Sequence, residues 1–136
     1  MIKQIVLLSF FSFFSLTSYG QDYLNRYEYM SLDKVKKKWG TTQFSSKKFK
    51  ASNEQTKATM VFSLIQSKSY IGKPIKEVFS DLGRSTGYFF SESVPAYVIG
   101  DINEKPDELW QIVFLLSKDS KTIADVKVQK KCCYNR

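Results

Sequence analysis

The sequence predicts an α+β domain in which two to three short helices pack on one face of a four-stranded antiparallel meander sheet. Three observations support this fold class. Apolar residues recur at helical spacing between capping residues as far as residue 83, and the period changes to that of strands from residue 87 onward. A chain of 136 residues is long enough to enclose one hydrophobic core. A sheet with one face covered by helices satisfies both patterns.

Residues 1–20 read as a signal peptide ahead of the folded part. Lys3 supplies a short positive start, and the apolar run that follows is broken only by serines. Ser18 and Gly20 place small residues three positions and one position before a cut after Gly20. The run is far shorter than the roughly 20 residues of a membrane-spanning helix, and no cysteine stands at the cut to carry a lipid. We therefore expect an exported protein, periplasmic or secreted and not lipid-anchored.

Residues 21–51 are predicted to be a lead-in with a short helix and a loop. The first ten residues of this stretch are polar and tyrosine-rich without a clean period, which indicates a mobile or loosely docked segment. Ser31 can cap a helix that Gly40 ends. An irregular loop anchored by Phe44 and Phe49 follows.

Two further helices are expected before the sheet. The first begins at Ser52 or Asn53, and its apolar residues lie at helical spacing: Met60, Val61, Leu64 and Ile65. The second begins at Pro74, ends at Gly83, and carries the apolar stripe Ile75, Val78, Phe79 and Leu82.

Four runs rich in β-formers are predicted to be the strands, over residues 87–93, 95–100, 108–117 and 122–132. The last two are joined by a hairpin at residues 118–121. Alternation places four apolar residues of the third run on one face: Trp110, Ile112, Phe114 and Leu116. Gln111 interrupts the apolar pattern of the other face.

Residues 52–136 resemble the SmpA/OmlA group of small bacterial envelope proteins, which share the fold of the β-lactamase inhibitor protein. The motif that carries the resemblance is Ile71, Gly72, Lys73, Val78, Leu82 and Gly83. The Leu-Gly-x-Pro ending usual in that group is replaced here by Leu82-Gly83-Arg84-Ser85. The resemblance implies protein–protein contact or an inhibitor-like role, with neither a cofactor nor catalysis.

Positive charge is concentrated in one part of the chain. Lysine and arginine number 21 against 13 acidic residues, a formal net charge of +8. The basic patch comprises Lys34, Lys36, Lys37, Lys38, Lys47, Lys48 and Lys50. An exported protein meets little nucleic acid, so anionic lipid headgroups, envelope polysaccharide or an acidic protein are the partners to expect. The competing interpretation is a lysine-rich solvated helix face that serves solubility.

The residue types needed for most catalysis are missing. The sequence contains no histidine, which removes the usual general base and the commonest metal ligand, and it contains no glycine-rich phosphate loop. We therefore expect no enzyme activity, no metal and no cofactor.

The adjacent Cys132 and Cys133 leave several interpretations open. In an oxidising compartment they would form a strained bond to each other, bridge two chains as a disulfide-linked homodimer, remain as protected thiols, or bind a soft metal. Successive side chains of a strand point to opposite faces, which opposes a bond between neighbours.

Together these observations predict an exported, non-enzymatic binding or accessory protein of the bacterial cell envelope, acting through contacts with an envelope or secreted protein. The open face of the sheet is the expected contact surface, with Tyr88, Tyr97 and Trp110 in its strands. Two alternatives remain: a thiol redox or metal-handling protein that uses Cys132 and Cys133, and a peripheral binder of an anionic membrane through the lysine stretch.

Overall fold

The computed structural model describes residues 28–104 and 109–130. Within them the chain forms five short helices and an antiparallel sheet of order β1-β4-β3-β2, which confirms the predicted α+β class. In chain order the elements are β1 (Tyr29–Met30), α1 (Leu32–Trp39), α2 (Ser46–Ala51), α3 (Glu54–Thr59), α4 (Val61–Ser67), α5 (Ile75–Leu82), β2 (Ala96–Ile99), β3 (Trp110–Leu116) and β4 (Ile123–Lys130).

The capping residues that the sequence indicated bound two of the helices. The Ser31 hydroxyl accepts a hydrogen bond from the backbone N–H of Lys34 at the start of α1, and Gly40 ends that helix at a φ of +89°. Helix α5 ends at Gly83, whose φ is +87°. Pro74 was expected to be the first residue of this helix but is its N-cap, so α5 begins one residue later, at Ile75.

The helix predicted from residue 52 is interrupted at Met60. Asn53 caps α3, with its side-chain oxygen accepting from the N–H of Thr56 at 2.9 Å. The hydroxyl of Thr59 donates to the carbonyl of Thr56 at 2.6 Å, a local bond that competes with helix continuation. The N–H of Met60 then bonds to the carbonyl of Lys57, which tightens the turn before α4 begins.

The loop predicted after Gly40 contains an additional helix, α2. The Ser45 hydroxyl accepts from the N–H of Lys48 at 3.4 Å and caps it, and Phe49 is fully buried. Phe44 packs against the core as expected, and its N–H bonds to the Ser63 hydroxyl. One buried side chain in six residues is too few to give a helical period, so α2 left no pattern in the sequence.

The strand predicted over residues 87–93 is absent, and the fourth strand comes instead from the lead-in. Tyr29 pairs with Gln129 and Met30 with Val128, so β1 adds to the outer side of β4. The three later strands form a meander, as predicted, with the hairpin 118–121 between β3 and β4.

One core joins the helices to the inner face of the sheet. Val35 of α1 and Phe49 of α2 belong to it together with Val78 and Leu82 of α5. At its centre five aromatic rings contact each other in a closed cycle, with neighbouring centroids 5.7 to 6.0 Å apart: Phe44, Phe49, Tyr97, Phe114 and Tyr70. Tilted and edge-to-face pairs of this kind fix the orientation of each ring. The helix layer is therefore firmly attached, and a different segment covers the outer face of the sheet beside β2 and β3.

Candidate interaction surface

Residues 84–94, which connect α5 to β2, form the feature that we call the strap. It first follows the free edge of β2 and then turns onto the outer face of the sheet, the side away from the helices. The sequence predicted a strand here. A mixture of side-chain and backbone hydrogen bonds to β2 and Gln111 replaces the expected strand ladder.

The strap closes the edge of β2 with hydroxyl groups. The outward N–H of Ala96 donates to the Ser85 hydroxyl, and that of Val98 donates to the Thr86 hydroxyl, both at 3.0 Å. In return the N–H groups of Thr86 and Gly87 donate to the carbonyl of Ala96, at 3.1 and 2.9 Å. An unpaired strand edge invites pairing with another chain, and here its donors are already occupied.

A buried pair of glutamines holds the strap on the outer face. The Gln111 side chain accepts from the N–H of Tyr88 at 3.1 Å and donates to its carbonyl at 2.9 Å. The same amide donates to the side-chain oxygen of Gln129 at 3.0 Å, and the two glutamines are only 2% and 1% exposed. A Cβ at Gly87 would lie only 2.3 Å from the Gln111 amide oxygen, so a side chain there would displace the amide from its hydrogen bonds to Tyr88. The outer face beside β2 and β3 is therefore covered and not open as predicted.

The tip of the strap presents aromatic side chains in a strained turn. Phe90 has a φ of +59°, and the N–H of Ser91 bonds to the carbonyl of Phe89 at 2.6 Å, which makes a γ-turn. The Tyr88 hydroxyl donates to the Phe90 carbonyl at 2.8 Å, and the rings of Phe89 and Phe90 meet edge to face at 4.6 Å. Tyr88 is nevertheless 43% exposed and Phe90 55% exposed. A bulky residue with positive φ is rare, and such strain is concentrated at functional sites.

A cleft of about 460 Å³ lies beside the strap. Its lining combines aromatic, hydroxyl and charged groups: Phe79, Arg84, Ser85, Gly87, Tyr88, Ser91, Glu92 and Val94. Tyrosine and arginine are the side chains most enriched where proteins bind each other tightly. The cleft and the strap tip together form one continuous candidate surface for a protein contact.

The three aromatic residues predicted for the contact surface do not lie together. Tyr88 is on the strap and exposed. Tyr97 is 0% exposed in the core, where its hydroxyl donates to the Gly83 carbonyl at 2.7 Å and burial raises the pKa of the phenol above its ordinary value. Trp110 is partly buried on the helix side, with the Lys130 ammonium 6.0 Å above its ring. Of the three, only Tyr88 is exposed, and Phe90, which the sequence did not single out, is exposed beside it.

The basic patch is exposed but divided between two helices. Lys34, Lys36, Lys37 and Lys38 lie on α1, which packs against α4, whereas Lys47, Lys48 and Lys50 lie on α2, which packs against α5. In the part of the chain that the structure describes, none of the seven forms an ion pair; the two ion pairs there involve Lys127 and Lys130 of β4.

The residues of the SmpA/OmlA-like motif serve packing and local geometry. Val78 and Leu82 are buried in the core. The N–H of Gly72 donates to the carbonyl of Ile123 and the Lys73 carbonyl accepts from the N–H of Ile123, which ties the start of β4 to α5. Ile71, by contrast, is exposed, and Gly83 ends α5.

Several predictions concern residues outside the described part of the chain, namely the signal peptide 1–20 and the pair Cys132 and Cys133. Within residues 28–104 and 109–130 every helix is too short or too polar to cross a bilayer. Over those same residues no three side chains of the metal-binding types come together. No protein-family model, curated protein or solved structure gave a significant match to this chain.

Proposed function

We propose that this chain is an exported, non-enzymatic binding or accessory protein of the bacterial cell envelope, and that the strap is its contact surface for a partner protein. The observation that carries the proposal is Phe90, a large apolar side chain held more than half exposed on a backbone turn that is itself unfavourable.

The energetics of that turn favour a functional interpretation. A non-glycine residue held at positive φ costs on the order of 1–3 kcal/mol. Because more than half of the Phe90 side chain stays in water, the fold also lacks roughly 1 kcal/mol or more of the free energy that full burial would supply. Four hydrogen bonds to β2 and two to the Gln111 amide hold the strap in this arrangement, and a further bond from that amide to Gln129 fixes the amide itself. A partner that buries the ring recovers the missing burial energy.

The cleft supplies the specificity that a lone aromatic ring lacks. Arg84 and Glu92 bring both signs of charge to its lining, and Ser85 and Ser91 add hydroxyl groups. A partner segment with one apolar anchor flanked by polar or charged groups would fit this surface. Aromatic anchors surrounded by polar groups are the usual composition of protein contact sites.

The proposal is tested by affinity capture from native cells with the natural chain and two matched variants. Phe90→Ser removes the exposed ring from the strap, and Ile102→Ser removes a side chain of equal exposure, 55%, that lies outside it. We expect Phe90→Ser to lose the captured envelope protein and Ile102→Ser to retain it. Equal retention by both variants, with equal urea midpoints, would overturn the assignment of the strap.

Export and family are parts of the same proposal with separate tests. Cleavage after Gly20 predicts that protein recovered from the envelope or culture medium lacks residues 1–20 by intact mass. The likeness to the SmpA/OmlA group is supported by a motif whose residues pack α5 and link it to β4. An experimental structure of this chain whose strands do not superpose on a member of that group would refute it.

A further inference from the structure

We propose that α1 and α2 form a docking surface for an anionic lipid bilayer, so that the protein lies on a membrane with its helix layer facing the bilayer. This inference concerns the helix layer and not the strap, and it stands independently of any protein partner. It rests on the seven lysines of the basic patch, on what surrounds them, and on where they sit within the two helices.

The positive charges of these lysines are not neutralised by neighbouring acidic residues. All seven are exposed, and among the described residues no carboxylate lies within ion-pair distance of any of them. Asp101 and Glu104 line the same cavity as Lys38 without pairing with it. The basic potential of this surface is therefore available to an external anion.

Helix stability accounts for the placement of most of these lysines but not for that of Lys47. Cations stabilise the last turn of a helix, which suits Lys36, Lys37 and Lys38 in α1 and Lys48 and Lys50 in α2. Lys47, however, is the second residue of α2, whose first turn contains no acidic residue. A positive charge at that end opposes the helix dipole.

The arrangement fits an extended surface better than a small anion. Of the four cavities described in this structure, only one includes a lysine of the patch, and it includes Lys38 alone. In these four cavities the lysines do not converge, and they are divided between two helices with different packing partners. Mobile anionic headgroups can gather beneath each lysine separately, whereas a rigid polyanion has to match both helices at once.

Aromatic rings beneath the charges agree with this surface. The Lys36 ammonium lies 5.7 Å from the centroid of Phe62, and the Lys38 ammonium lies 5.8 Å from that of Trp39. Both rings are half-buried, so the lysine stems cover apolar surface while their charged ends stay outward. The tip of the strap lies on the outer face of the sheet, away from this layer.

The test is flotation of the protein, recovered from expressing cells as they process it, with vesicles of 30% phosphatidylglycerol in phosphatidylcholine. Each lysine near an anionic surface contributes about fivefold to partitioning. The variant Lys34→Gln/Lys37→Gln/Lys38→Gln is therefore expected to bind about a hundredfold more weakly. Binding of the natural chain should also fall steeply as salt is raised from 50 to 300 mM.

A second variant separates a located surface from net charge. Lys73→Gln/Lys118→Gln/Lys121→Gln removes the same charge from exposed lysines away from α1 and α2. It should bind nearly as well as the natural chain. The inference is overturned if both triple variants lose binding equally, if vesicles fail to bind the natural chain, or if dextran sulfate binds it but vesicles do not. Matched melting curves exclude unfolding as the cause of a loss.

Discussion

The most demanding prediction concerns Gln111, the side chain that joins the strap to the sheet. Gln111→Leu keeps a side chain of similar volume and removes its amide. Three hydrogen bonds are lost, two to the backbone of Tyr88 and one to Gln129. Their partners are then left beside an apolar group in a site that is almost fully buried.

The expected loss of stability follows from those three bonds. Each contributes about 0.5–1.5 kcal/mol net, and a partner that stays buried without a replacement costs more. Because the strap can lift and let water reach the Tyr88 backbone, the cost of the unsatisfied groups is limited. We therefore expect Gln111→Leu to lower the free energy of unfolding by roughly 2–3 kcal/mol. At ~4 °C per kcal/mol for a domain of this size, the melting temperature falls by ~8–12 °C.

Urea unfolding and amide hydrogen exchange together check this prediction. Gln66→Leu makes the same chemical change at an exposed position of α4 and serves as the control, with an expected change within about 0.5 kcal/mol. Exchange of the Tyr88 amide should become fast in Gln111→Leu only. If Gln111→Leu is as stable as the natural chain and the Tyr88 amide stays protected, the glutamine pair does not hold the strap.

Two further predictions concern the core and the end of α5. Burial, with the hydrogen bond to Asp81 in the case of Tyr70, raises the pKa of the phenols of Tyr70 and Tyr97 above the unfolded value of about 10. As the pH rises, the unfolded chain therefore loses these protons before the folded chain does. The free energy of unfolding should be unaffected below about pH 9 and should fall above pH 10 by ~1.4 kcal/mol per pH unit for each tyrosine, and by less in Tyr97→Phe. A free energy of unfolding that stays constant to pH 11.5 would contradict this. Gly83→Ala should lower the free energy of unfolding by about 1–3 kcal/mol, because a φ of +87° with a ψ of −170° is nearly confined to glycine. An unchanged midpoint of urea unfolding would show that α5 ends in another way.

Much of the fold was predictable because its signals are local. Ser31, Gly40, Asn53 and Gly83 mark helix ends through groups within four residues of themselves. The apolar alternation along β3 likewise identified the face of the sheet that meets the helices. Such features depend on neighbours in sequence, which a single sequence displays directly.

The strap was not predictable, because its structure depends on distant residues. Three consecutive aromatics at Tyr88–Phe90 suggested a strand. The strap instead bonds to β2 through the hydroxyls of Ser85 and Thr86, which precede these aromatics. The sequence did hold one indication of the site, since Gln111 broke an apolar pattern and is the residue that holds the strap.

The buried position of Tyr97 could not be predicted from the sequence either. Its face is set by pairing with Ile112, and register between two strands is a tertiary property. Strand β1 was missed for a related reason, because two residues are too few to show alternation.

The central claim, that the strap contacts a partner protein, is tested most directly by photo-crosslinking in living cells. A benzophenone amino acid at position 90 keeps an aromatic ring at the tip, and the same group at position 102 is the matched control. The account predicts an adduct with an envelope protein from position 90 and none from position 102. Adducts in equal yield from both positions, or none from position 90, would contradict it.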